Sequence, residues 1–272
     1  MCDESIVRHA HEEAQRMSRR KAIRVAAGVA TGVSAAAVAA GVGVTAMAHA
    51  APGTGEGRRV VDLTHSLSSS FPLWPGEPPV VTVPTSRVGP GNSGFATNWM
   101  SFAEHSGTHV DAPAHKIGNG ITVDRIDPRN LVAPLAVISI AGHARRNPRA
   151  RLSERDVADW EKSHGRIPRG ALVALHTGWE PRTGGAHAAG FSGDVVDMLV
   201  AERQIVAIGT DTLSIDIFDE TAAHTAILGA GRYAVEAMAE LEAVPPLGAT
   251  VMVGAPKFAN GTGGPARVLA MV

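Results

Sequence analysis

Eleven consecutive residues, 105 to 115, read His-Ser-Gly-Thr-His-Val-Asp-Ala-Pro-Ala-His. Three imidazoles and one carboxylate fall within this run, separated by small residues and a proline. No fold needs such a run for packing, because histidine and aspartate are costly to bury without partners. A divalent metal ion is the simplest partner for all four at once. The run also restricts its own conformation. His105 and His109 are four apart, as on one face of a helix. Gly107 weakens a helix, however, Thr108 and Val110 favour a strand, and Pro113 would end a helix. In a strand, residues two apart share a face. His109 and Asp111 are therefore expected to point together into one site, with Val110 packed on the other side. Ser106-Gly107 allows a bend that returns His105 toward them, and Pro113 stiffens the exit and holds His115 close. Two imidazoles and a carboxylate can bind Zn²⁺, Mn²⁺ or Fe²⁺ and leave positions open for water and substrate.

Composition narrows that chemistry. The only cysteine of the 272 residues is Cys2, so the rest of the chain has no disulfide and no thiolate ligand. Any metal must be held by nitrogen and oxygen. The net charge is −1 and no basic run follows residue 60, which gives nucleic-acid binding no support.

Residues 1 to 24 are polar and carry Arg8, Arg16, Arg19, Arg20, Lys21 and Arg24. An Ala/Gly/Val-rich stretch from Val25 to Met47 follows and ends in Ala48-His49-Ala50. A basic region, an apolar region and a small-x-small site are the parts of an export signal. Ser18-Arg19-Arg20 points to the twin-arginine route, although Ala22 stands where a bulkier residue is usual. The alternative is a membrane anchor, since the apolar run is about long enough to span. Its glycines and alanines and the Ala-His-Ala site favour removal. The expected organisation is a cleaved export signal over 1–50, a flexible leader over 51–57 and one domain over 58–272, long enough to bury a sizeable core.

Within that domain, Val60–Thr64, Val80–Val83, Asn98–Phe102, Thr108–Asp111, Leu135–Ile140, Leu172–Thr177, Ile205–Thr210 and Thr250–Val253 read as strands. Ser153 followed by Asp156 predicts a capped helix over 154–163. Ser192 caps a second, over 193–203, with Val195, Val196, Leu199 and Val200 at helical spacing. A third helix is expected to carry Val235, Met238 and Leu241 as its buried stripe. Interspersed strands and helices predict an α/β domain with a mixed, barrel-like β core and helices outside. The Gly/Ala-rich segment 180–190 is expected to be a mobile loop near the site.

The run His-x-Gly-Thr-His-x-Asp-x-Pro-x-His resembles the signature of the cyclase-family metal-dependent hydrolases, which include bacterial kynurenine formamidases and isatin hydrolases. Val60-Val61-Asp62-Leu63-Thr64-His65 resembles the family's opening strand, and Trp74-Pro75-Gly76 its substrate loop. Thr177-Gly178-Trp179 and the segment Gly209 to Asp216 resemble internal strands, and Gly261 to Arg267 the C-terminal segment. The resemblance covers nearly all of residues 58–272. It implies a swivelling β/β/α fold and a small-molecule substrate in a homo-oligomer. It also implies a divalent cofactor, Zn²⁺ or Mn²⁺, with two ions per subunit. It implies that His105 and His109 bind one metal, that Asp111 bridges to a second, and that His224 and Glu236 complete the set. His115 then resembles the acid/base residue, and Trp74 the aromatic lying against substrate. From the residues alone, His224 reads as ordinary, and Glu236 as either solvent-facing or drawn inward.

The implied reaction is hydrolysis of a C–N bond in a small amide, formamide or lactam by metal-hydroxide attack, since a metal ion lowers the pKa of bound water. A lactone hydrolase or polyketide-type cyclase is the alternative chemistry. An exported metal- or ligand-binding protein without catalysis is the alternative outside enzymes, and the retained His115 counts against it. Export also counts against tryptophan catabolism as the setting, and after cleavage no stable membrane insertion is expected. Asp211 and Asp216 read as turn and network residues, His176 as structural, and His65 as hydrogen-bonded or near the site. Trp99 and Trp160 read as packing. Gly261–Gly264 lacks the lysine and the strand-loop-helix setting of a phosphate loop.

Overall fold

A computed structural model describes residues 59–89, 94–183, 185 and 188–272. The expected export signal and leader lie outside the described residues, as do 184, 186 and 187 of the expected mobile loop.

The strands are β1 (Val60–Asp62), β2 (Val81–Ser86), β3 (Thr97–Ser101), β4 (His109–Asp111), β5 (Val132–Ser139), β6 (Arg151–Leu152), β7 (Leu172–His176), β8 (Gly190–Phe191), β9 (Ala207–Thr210), β10 (Tyr233–Glu236), β11 (Ala249–Gly254), β12 (Gly263–Pro265) and β13 (Arg267–Met271). The helices are α1 (Ala141–Ala144), α2 (Glu154–His164), α3 (Gly193–Met198) and α4 (Ala222–Gly229). Nine strands form one mixed sheet in the order β1-β13-β11-β5-β7-β9-β10-β4-β12. The middle strands β5, β7, β9 and β10 are parallel, and antiparallel strands flank them on both sides. β12 stands at one edge and β13 beside the other, yet only Ala266 separates them in the chain. The sheet must therefore curl into a half-barrel, the barrel-like core the sequence predicts.

Strand periodicity divides the interior into two cores. Leu135 and Val137 of β5, Leu172 and Ala174 of β7, and Tyr233 and Val235 of β10 pack inside the curl with Leu63, Val251 and Val268. Their alternates Ala136, Ile138, Val173, Leu175 and Ala234 pack outside against Val157, Trp160, Val195, Leu199 and Ile227 of the helical layer. Trp160 donates its indole N–H to the Val137 carbonyl at 3.0 Å, so it is a packing residue with its polar atom satisfied.

The helix over 154–163 forms as expected, with Ser153 and Asp156 making a reciprocal capping box. The second runs as α3 and continues through Arg203 in one widened π turn. The third is not formed. Tyr233–Glu236 is a strand paired on both sides, by β9 and β4, and Leu241–Ala243 is a single 3₁₀ turn. Val235, Met238 and Leu241 are all buried, but Ala237 between them takes a left-handed φ of 50°, which no helix accommodates. The helix of this region lies earlier, at α4. It has Ala223, Ile227 and Leu228 buried and no polar stripe to mark it.

Ser153→Ala removes the cap of α2 and is expected to cost about 1 kcal/mol. For a domain of this size that corresponds to a fall of roughly 2–4 °C in Tm, read by thermal denaturation.

Candidate metal centre

Strand pairing assembles the site. In the antiparallel register of β4 on β10, His109 stands opposite Glu236, Val110 opposite Val235 and Asp111 opposite Ala234. Val110 and Val235 enter the inner core, so His109, Asp111 and Glu236 share the other face. Thr108 locks this register by donating its hydroxyl to the Ala237 carbonyl at 2.5 Å and accepting the His65 backbone N–H at 2.9 Å. Gly107 turns the chain with a φ of 66°, and its carbonyl accepts from His109 Nδ1 at 2.8 Å. Pro113–His115 is a 3₁₀ turn that places the His115 ring 3.9 Å from the His105 ring.

Four groups form an alternating ring. Asp111 offers Oδ1 to His109 Nε2 at 3.2 Å and Oδ2 to His224 Nε2 at 3.4 Å. Glu236 offers Oε2 to His109 Nε2 at 3.4 Å and Oε1 to His224 Nε2 at 3.2 Å. Two ligand atoms each about 2.1 Å from one ion lie roughly 3.0–3.4 Å apart at tetrahedral or octahedral angles. His109 Nε2 and Asp111 Oδ2 are buried and have no hydrogen-bond partner among the described residues. Such orphans are costly unless something satisfies them. His224 is oriented by Asp216, whose Oδ2 accepts from the ring Nδ1 at 2.7 Å, so both imidazoles turn Nε2 toward the carboxylates. These residues fit a divalent cation.

Electrostatics agree. Burial alone would lower the pKa of His109, but the Asp111 and Glu236 carboxylates override it and push it up to about 9. The same opposition, with hydrogen bonds to Asp111, Asp216 and Glu236 prevailing over burial, holds His224 well above the ordinary imidazole value. Asp111 is completely buried, yet the His109 charge and three imidazole contacts hold its carboxyl well below the usual range. The site is starved of positive charge, and without a metal the histidines supply it as protons.

His105 Nδ1 meets Asp111 Oδ1 at 2.6 Å. Asp111 is thereby common to two groupings, one with His109 and Glu236 and one with His105 and His115. His115 stands at the exposed rim. Withdrawal from water lowers its pKa, reinforced by His105 and His224 and opposed by Asp111 and Glu236, which favours the neutral ring.

All six predicted polar residues and Trp74 line or adjoin one cleft of about 280 Å³. Trp74 stacks on Phe218 with centroids 5.4 Å apart and 30° between planes, giving the cleft an aromatic wall. Asp211 accepts from the Thr177 and Gly178 backbone N–H groups, and Asp216 from those of Ala223 and His224, as network residues should. His176 contacts Ser139, and the His65 ring lies against Phe71.

Glu77, Glu104 and Thr262 were not singled out from the sequence. Glu77 lines the cleft with a buried Oε2 lacking any hydrogen-bond partner among the described residues. Glu104 and Thr262 lie behind His105. The signals available were the adjacency of Glu104 to the histidine run and the small residues around Thr262.

A family model named Cyclase matches residues 61–217. An isatin hydrolase from Roseibium aggregatum is 32% identical over 200 residues, spanning 65% of this chain and 75% of that protein. A kynurenine formamidase from Salinibacter ruber is 27% identical over 214 residues, spanning 77% of this chain and 96% of that one. The solved isatin hydrolase A from Ralstonia solanacearum superposes with a TM-score of 0.73 at 35% identity, covering 79% of this chain and 92% of that chain.

Asp216→Asn turns an amide N–H₂ either toward the His224 ring and backbone N–H or toward the Ala223 backbone N–H. The protein is expected to fold, by circular dichroism, and to bind Mn²⁺ or Zn²⁺ roughly 10- to 100-fold more weakly in calorimetric titration.

Proposed function

This chain belongs to the cyclase family, and from that premise we propose that it is a metal-dependent amidohydrolase cleaving a non-peptide C–N bond of a small amide, formamide or lactam. The observation that carries this reading is the ring of His109, Asp111, His224 and Glu236, with orphaned ligand atoms, beside His115 in an aromatic-walled cleft. The isatin hydrolase and kynurenine formamidase relatives support the same bond class.

His109, Asp111, His224 and Glu236 would hold a divalent ion, Zn²⁺ or Mn²⁺, and Asp111 with His105 would share a second. Such an ion supplies Lewis acidity, lowering the pKa of water and polarising a carbonyl oxygen. The remaining work falls to side chains. Trp74, backed by Phe218, lies along a flat apolar substrate face. The unpaired Glu77 oxygen offers an acceptor to a substrate N–H, which suits a secondary amide better than an ester. His115, neutral and at the rim, takes a proton from the attacking water and returns it to the departing nitrogen.

His109→Ala and Asp111→Ala are expected to purify without divalent metal. His115→Ala is expected to keep its metal and lose roughly 10²- to 10⁴-fold in kcat. Turnover is measured on isatin, N-formyl anilides, lactams and lactones. Turnover of lactones alone would replace the amide reading, and none at full metal loading would leave a binding protein. Full metal content in both ligand variants would overturn the site.

We further propose export through the twin-arginine route with cleavage after Ala50, supported by the N-terminal charge and apolar pattern. Among the described residues no helix is long and apolar enough to cross a membrane. Exposed Val83 and Met100 on the β2–β3 hairpin support a homo-oligomer. Intact mass of protein recovered outside the cytoplasm should correspond to a chain starting at Ala51. Recovery only as the uncleaved chain in the membrane fraction would contradict export in soluble form.

A further inference from the structure

Glu104 contributes no atom to the ring of ligands, yet two hydrogen bonds connect its carboxylate to His105. Thr262 donates its hydroxyl to Glu104 Oε2 at 2.5 Å and its backbone N–H to the same oxygen at 3.1 Å. The same hydroxyl lies 3.0 Å from His105 Nε2. A carboxylate only accepts, and a hydroxyl has one proton to give. That proton is committed to Glu104, so toward His105 the hydroxyl can only accept, and Nε2 must carry the hydrogen. Nδ1 is then the nitrogen that faces Asp111, 2.6 Å from Oδ1, a contact closed by a proton until a cation replaces it, and with hydrogen on Nε2 the loss of that proton leaves a neutral ring. His109 and His224 are turned the other way round, with Nδ1–H given to Gly107 and Asp216 and Nε2 facing the carboxylates.

We propose that Glu104 is a positioning residue which, through the Thr262 hydroxyl, holds His105 as its Nε2–H tautomer and presents the Nδ1 lone pair to a cation shared with Asp111. The cation rests on the metal-site reading above; the tautomer does not. Were the hydroxyl free, it could donate to Nε2. His105 would then hold its proton on Nδ1, directed at Asp111 and occupying the place of the cation. The glycines around Thr262 have a matching reason. A Cβ on Gly261 would lie 2.9 Å from Glu104 Oε1, and one on Gly263 would lie 2.6 Å from His105 Cε1 and 2.3 Å from the Val110 carbonyl oxygen. Gly261 and Gly263 flank Thr262 because the segment passes against this hydrogen-bonded chain with no room for side chains.

The test pairs ¹⁵N NMR of the histidine rings in metal-free protein, read for hydrogen on His105 Nε2, with Zn²⁺ and Mn²⁺ affinity by chelator competition. Wild type should show His105 as Nε2–H. Thr262→Val keeps shape and the backbone N–H but removes the hydroxyl. It should show a substantial population with Nε2 bare and bind metal roughly 10- to 100-fold more weakly. Thr262→Ser should restore both. Glu104→Met frees the hydroxyl to donate and should switch His105 to Nδ1–H; it decides the matter if Thr262→Val does not fold. Retention of Nε2–H in Glu104→Met overturns the proposal, as does a Thr262→Ser protein impaired like Thr262→Val. A wild type that binds no divalent ion would instead refute the metal site, leaving the tautomer result standing.

Discussion

The register between β4 and β10 is the constraint on which the site depends. Side chains alternate along a strand, so a slip of one residue would turn His109 and Asp111 into the inner core and Val110 into the cleft. Two fully buried valines, Val110 and Val235, prevent that slip by packing opposite each other in the core. The hydrophobic effect thus positions carboxylates it does not itself favour burying. Asp111 and Glu236 tolerate burial because imidazoles face them and the Ile215 backbone N–H donates to Glu236 at 2.8 Å.

Each of His105, His109 and His224 has one nitrogen tied to an oxygen outside the cluster. Gly107 O serves His109, Asp216 serves His224 and the Thr262 hydroxyl serves His105. Two of these acceptors, the Gly107 carbonyl and the Asp216 carboxylate, cannot donate, and the third is denied the choice by Glu104. Proton positions in the centre are accordingly set from behind it by the surrounding fold, before any ligand arrives.

Much of this was legible in the sequence because it is local. Period two placed His109 and Asp111 on one face, glycine predicted the bend at residue 107, and Ser153 with Asp156 marked the start of α2. Less was legible where pairing is distant. Glu104 and Thr262 are 158 apart, and no pattern near either residue names the other. His224 and Glu236 were recognisable only by resemblance, because each sits in a short apolar stretch with no chemical neighbour. The stretch around Val235 was misread because three apolar residues three apart fit a helix as well as a buried strand and its exit. Strands as short as β6, β8 and β12 have too few residues to show a period.

The single residue between β12 and β13 has a consequence for how the protein is made. β12 borders Asp111 at Gly263, Thr262 reaches His105, and β13 closes the far side of the curled sheet. A growing chain has synthesised all four ring ligands once Glu236 is added, but not the segment that backs them. Through Ala266, the strand beside the metal ligands and the strand that completes the sheet are laid down together. The backing of the metal ligands thus comes from residues that follow all four of them in the chain, joined through Ala266 to the strand that pairs with β1.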